Sequence, residues 1–83
     1  MPYINPSRRQ ILDPLIEEMI LEYDIKADGD LNYILYKLCL KSIEPSYNNY
    51  KNFCGELRQC ATEIERRLLA EYEDQKIEEN GDV

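Results

Sequence analysis

The chain has 83 residues and a mass of 9.9 kDa, with 17 acidic side chains, 10 basic ones and no histidine. That length limits it to one helical domain, residues 1–83, which buries only about 60–65% of its unfolded surface, so its core needs a supplement such as oligomerisation. A net charge of −7 disfavours binding to a nucleic-acid polymer, and the lack of histidine removes Ser-His, Cys-His and histidine-based metal chemistry.

In chain order, Asn5-Pro6 joins a capping side chain to a proline with φ already set, which predicts a single short turn over the following residues. Asp13-Pro14 repeats that grammar and predicts the true opening of helix one, over about residues 14–25. Its apolar stripe is Leu15, Ile16, Met19, Ile20 and Tyr23, with Tyr23 read as ordinary core and Glu17, Glu18 and Glu22 turned away. Lys26-Ala27-Asp28-Gly29-Asp30 reads as a connector that ends at an N-cap on Asp30.

Helix two is expected over 31–43. Leu31, Ile34, Leu35, Leu38 and Cys39 form its stripe, widened by Tyr33, Tyr36 and Leu40, so that Asn32, Lys37 and Lys41 are almost its only polar positions. It should be the most buried helix and stop before Pro45, which disfavours helical geometry at Glu44. From a cap at Ser46 or Asn48, helix three is expected over about 48–78, with Tyr50, Phe53, Cys54, Leu57, Cys60, Ala61, Ile64, Leu68 and Tyr72 as one helical seam. Gly55 reads as a point of close helix packing. The fold class is therefore all-α, three helices with a short N-terminal turn and a long third helix.

About 30 residues at 1.5 Å each span roughly 45 Å, whereas a compact domain of this size is roughly 30 Å across. Helix three should outgrow its own domain, and a second copy, in a two-fold dimer, is the expected cover for its seam. The oligomer seam is assigned to Tyr50, Phe53, Leu57, Ala61, Ile64 and Leu68.

Residue chemistry points away from catalysis and from cofactors. Asp28, Asp30 and Asn32 resemble the opening of a calcium loop, but Tyr33 stands where its glycine belongs and Cys39 where its bidentate glutamate belongs. Adjacent carboxylates such as Glu17-Glu18 and Glu78-Glu79 sit on exposed faces with nothing to split their acid and base roles. Cys39, Cys54 and Cys60 form no CxxC pair and read as buried thiols in a reducing cytoplasm. No secretory signal or membrane span is expected, which suggests a cytoplasmic protein.

Seven tyrosines and no tryptophan favour half-buried interaction surfaces. Arg8-Arg9 and Arg66-Arg67, set near tyrosine rings, could hold an anionic ligand, while pairs such as Glu63 with Arg67 account for them as ordinary surface contacts. Residues 71–83 carry six acids and one base, an acidic end.

Met1-Pro-Tyr-Ile, Arg8-Arg9 with Leu12-Asp13-Pro14, Gly29-Asp30-Leu31-Asn32-Tyr33, Glu65-Arg66-Arg67, and Tyr72-Glu-Asp-Gln-Lys76 through Glu79-Asn80-Gly81-Asp82-Val83 cover most of the chain. In these segments it resembles a small uncharacterised family of bacterial and phage or prophage proteins, a domain of unknown function. It departs from that family at Gln75, where lysine is usual, and in its additional cysteines.

The resemblance implies an ordered C-terminus that turns back at Asn80-Gly81, with its acids meeting Arg8, Arg9, Arg66 or Arg67. The candidate ligand or partner surface is Tyr3, Arg8, Arg9, Asn32, Tyr33, Arg66, Arg67 and Tyr72. The first functional expectation is a non-enzymatic, homo-oligomeric interaction protein, a phage or prophage accessory factor that binds a host protein. The alternative is a helical sponge for a small anionic nucleotide signal.

Overall fold

The computed structural model describes residues 4–81. Among them the chain is all-α with no strand: α1 spans Pro6–Leu21, α2 Gly29–Ser42 and α3 Tyr47–Ile64, followed by a π-helical turn over Glu65–Leu69 and α4 over Ala70–Asn80. Ile64, Leu69 and Ala70 all keep right-handed helical angles, so the backbone is helical without a break from Tyr47 to Asn80. By its contacts the chain divides into two compact units, with the boundary inside α3 between Tyr50 and Lys51.

The start of α1 corrects the sequence reading. Helix one opens at Pro6, not at Pro14, because Asn5 caps it: Asn5 Oδ1 accepts from the Ser7 amide at 3.1 Å and the Ser7 hydroxyl at 3.0 Å. The Asn5 carbonyl takes the amides of Arg8 at 2.9 Å and Arg9 at 3.1 Å, so the first turn is fully nucleated. Asp13 is then not a cap, and Pro14 lies inside the helix. With no N–H there, the Gln10 carbonyl loses its helical donor, a defect that costs roughly 3 kcal/mol in a helix interior.

The helix also ends earlier than expected, at Leu21 rather than Ile25. The stop is Asp24, whose φ of 51° is left-handed, a conformation that aspartate tolerates better than most residues. Beyond it the Ile25 amide reaches back to the Met19 carbonyl at 3.0 Å.

The cap of α2 is Asp28, not Asp30. Asp28 Oδ1 accepts from the Asp30 amide at 2.9 Å, and its carbonyl takes the Asn32 amide at 3.1 Å. Asp30 instead lies in the first turn and Lys41 in the last, which are the signs that complement the helix dipole. Ile43 is extended and closes α2 two residues before Pro45, as the sequence predicts. Ser46 Oγ accepts from the Asn49 amide at 3.0 Å to open α3. At the far end, the Gly81 amide donates to the Ile77 carbonyl at 2.8 Å, and a φ of 84° suits glycine there.

None of the described residues is fully buried. Leu12, Met19, Ile25, Ile34, Leu35, Cys39, Ile43 and Phe53 are half-buried. Helix two therefore has no enclosed core of its own, and Tyr23, expected in the core, is 65% exposed. Cys54 and Cys60 are exposed free thiols, not buried ones, and only Cys39 is half-buried. A Cβ on Gly55 would meet nothing within 4 Å, so that glycine does not serve close packing within the chain.

Candidate interaction surface

The helix beyond Lys51 carries a long apolar seam. Phe53 is half-buried, while Leu57, Ile64 and Tyr72 are exposed. Ala61 lies on the same helix and is exposed. An α-helix places residues three and four apart on one face, which aligns Leu57, Ala61 and Ile64.

Past Ile64 the π turn changes the step from four to five: the Ala70 amide donates to the Glu65 carbonyl. An i→i+5 step carries the seam from Ile64 to Leu69 rather than Leu68. The exposures agree, at 47% for Leu69 and 64% for Leu68. From Leu69 the seam continues to Tyr72 at ordinary spacing.

A second apolar surface lies on α2. Tyr33, Ile34, Lys37, Leu38 and Lys41 line a shallow groove of about 240 Å³. Within that lining Ile34 and Leu38 are one turn apart, as are the two cations Lys37 and Lys41. Lys37 Nζ stands 5.9 Å from the centre of the Tyr33 ring, within cation–π range. The sequence reading assigned Lys37 and Lys41 to the polar remainder of helix two. Their i, i+4 spacing beside Ile34 and Leu38 was the available signal.

The candidate ligand residues divide between the two compact units. Arg8 and Arg9 lie in the first turn of α1, and Asn32 and Tyr33 near the start of α2, all exposed. Arg66 and Arg67 belong to the π turn, and Tyr72 to α4. Arg66 Nη2 donates to both carboxylate oxygens of Glu63, at 3.0 and 3.1 Å, an ion pair three residues apart on the helix surface. Over the Tyr72 ring stands Lys76, at 5.5 Å, which also meets Glu79 at 3.3 Å. Tyr3 lies outside the described residues, as does the chain beyond Gly81 that was expected to turn back toward the arginines.

Among the described residues no group of three or more cysteines and carboxylates could hold a metal ion, and no helix is long and apolar enough to cross a membrane. The geometry is that of apolar helix faces edged with charge. Over residues 1–83 the sequence matches the family described as Domain of unknown function (DUF6899). The chain belongs to that family. As a DUF6899 member it shares the family over its whole length, which agrees with the resemblance to an uncharacterised domain. No curated protein and no solved structure matches it.

Proposed function

We propose that this DUF6899 protein is a non-enzymatic interaction module that self-associates through the seam of its long C-terminal helix and acts by binding a protein partner. The observation that carries this reading is the open seam: Tyr50, Leu57, Ile64, Leu69 and Tyr72 remain 36–57% exposed along a helix of 34 residues. Full burial of one such side chain stabilises by about 1.5–3 kcal/mol, so five half-exposed ones leave on the order of 5 kcal/mol unrealised per copy. That is comparable to the whole stability of a small domain. Scattered surface leucines need no explanation, but a continuous stripe at helical spacing does.

A second copy offers the same stripe, and an isologous two-fold contact closes it without leaving an open end. The family resemblance extends the reading to a phage or prophage accessory factor that binds a host protein in the cytoplasm. The test is thermal unfolding across a hundredfold range of protein concentration. Self-association makes Tm rise with concentration, because the partner copy stabilises the folded state by mass action. The nucleotide sponge predicts instead a Tm that is flat in protein concentration and raised by a cyclic or linear dinucleotide.

A further inference from the structure

We propose that the seam closes on a second copy running antiparallel, about a two-fold axis that passes between Cys60 and Ala61. This rests on the self-association proposed above and fixes what that reading leaves open, the direction and register of the partner helix. Leu57 then packs against Ile64 of the second copy, Phe53 against its Leu69, and the two Cys60 side chains stand side by side at the axis.

The register follows from the order of the apolar residues. From Phe53 through Leu57, Cys60, Ala61 and Ile64 to Leu69 the steps are one turn, then three, one and three residues, then one turn again, the last being the π turn. That order reads the same from either end: large, large, small, small, large, large. At 100° per residue Leu57 and Ile64 are about 20° apart around the helix, and Cys60 and Ala61 lie about 50° to either side of the line between them. All four are exposed, so the centre of the seam is open, and its two small side chains let a second backbone come close. An antiparallel copy offers the same surface at the same heights, which is the self-complementarity that a two-fold contact requires.

Charge sets the direction. α4 carries Glu71, Glu73, Asp74, Glu78 and Glu79 against Lys76 alone. A parallel pair lays two such stretches side by side, whereas the antiparallel pair holds their centres roughly 40 Å apart, well beyond the screening length of about 8 Å in physiological salt. Arg58 and Glu65, both exposed, are seven residues apart and so share one flank of the helix. Neither has an ion-pair partner among the described residues. A two-fold axis perpendicular to the helices brings each flank onto the same flank of the other copy. Arg58 therefore meets Glu65 of the second copy, offset by only about 3 Å along the axis, and the pair forms twice. Glu56 and Glu63 occupy the other flank, where Arg66 of the same helix already holds Glu63.

The experiment uses full-length chains that each keep one of Cys54 and Cys60, oxidised with diamide and resolved on non-reducing gels, with circular dichroism and light scattering alongside. Cys39→Ser/Cys54→Ser keeps Cys60, whose two copies lie within about 7 Å across the axis, a span that a disulfide bridges, and it cross-links to a covalent dimer. Cys39→Ser/Cys60→Ser keeps Cys54, whose copies are about 20 Å apart, and it cross-links at least about tenfold less. In chains with all three cysteines, Arg58→Glu or Glu65→Arg weakens the dimer about tenfold. Both substitutions in one chain, or the two single variants mixed, restore it to within about threefold, because opposite charges then meet again.

Equal cross-linking through Cys54 and Cys60 means parallel helices and overturns the proposal. A dimer that neither cysteine cross-links overturns it too, as do charge variants that fail to rescue one another. Each of these results leaves the self-association standing, whereas a wild-type chain that stays monomeric removes the self-association and this register together.

Discussion

The Ala70 amide donates to the Glu65 carbonyl, five residues back instead of four, and this turn rotates every side chain beyond it relative to an unbroken α-helix. Leu69 takes the place along the seam that four-residue spacing from Ile64 assigns to Leu68. The two leucines are adjacent and alike in size, so they separate the two registers cleanly.

Leu69→Asp is expected to weaken self-association about tenfold or more, since it sets a charge in an apolar contact, whereas Leu68→Asp changes it less than about threefold. Analytical ultracentrifugation of both variants checks this. Equal losses, or a greater loss for Leu68→Asp, mean that the seam keeps α-helical register through Glu65–Leu69.

The opening of α1 at Asn5 makes a paired forecast. Asn5→Ala lowers stability by about 1 kcal/mol through loss of the cap, and Pro14→Ala raises it by up to roughly 3 kcal/mol by restoring a donor to the Gln10 carbonyl. Urea unfolding followed by circular dichroism reads both. If α1 began at Pro14, Pro14→Ala would be neutral or destabilising.

Asp28 and Asp30 are two residues apart and differ in role. Asp28→Ala costs about 1 kcal/mol because the Asp30 amide loses its acceptor, while Asp30→Ala removes only a favourable charge near the helix dipole, about 0.3–1 kcal/mol and sensitive to salt. The same unfolding series at 0.05 and 0.5 M salt distinguishes them: the Asp28 effect persists and the Asp30 effect shrinks.

Gly55 lies inside α3 with open space where a Cβ would point. Gly55→Ala is therefore expected to stabilise the chain by about 1 kcal/mol, from the lower conformational entropy of the unfolded state and the higher helix propensity of alanine. A destabilised variant would mean that a partner backbone approaches there.

Much of this fold was legible because its signals are local. Pro45 ends α2 and Ser46 caps α3 through chemistry within a few residues, and the unbroken periodicity from Tyr50 onward required a long helix. The opening of α1 was ambiguous for the same reason: Asn5-Pro6 and Asp13-Pro14 have the same grammar, and nothing local ranks one above the other. Its end differs from the expected residue 25 because Asp24 takes the left-handed position that glycine usually fills, ahead of the 26–30 connector. The π turn has no residue signature in Glu65-Arg66-Arg67-Leu68-Leu69 and emerged only from the hydrogen bonding. Tyr23, Cys54 and Cys60 were placed inside on the premise of a closed core, which the described residues do not form. Lys37 and Lys41 were read as the polar side of helix two, although they line the groove beside Ile34 and Leu38.

The open seam is most directly tested by the mass of the full-length chain in solution, measured by multi-angle light scattering from 1 to 100 μM with helix content recorded alongside. The mass is expected to approach twice 9.9 kDa as concentration rises, and to stay at that of one copy in Leu57→Asp/Ile64→Asp protein that remains helical. A fully helical chain that holds at 9.9 kDa throughout would contradict it.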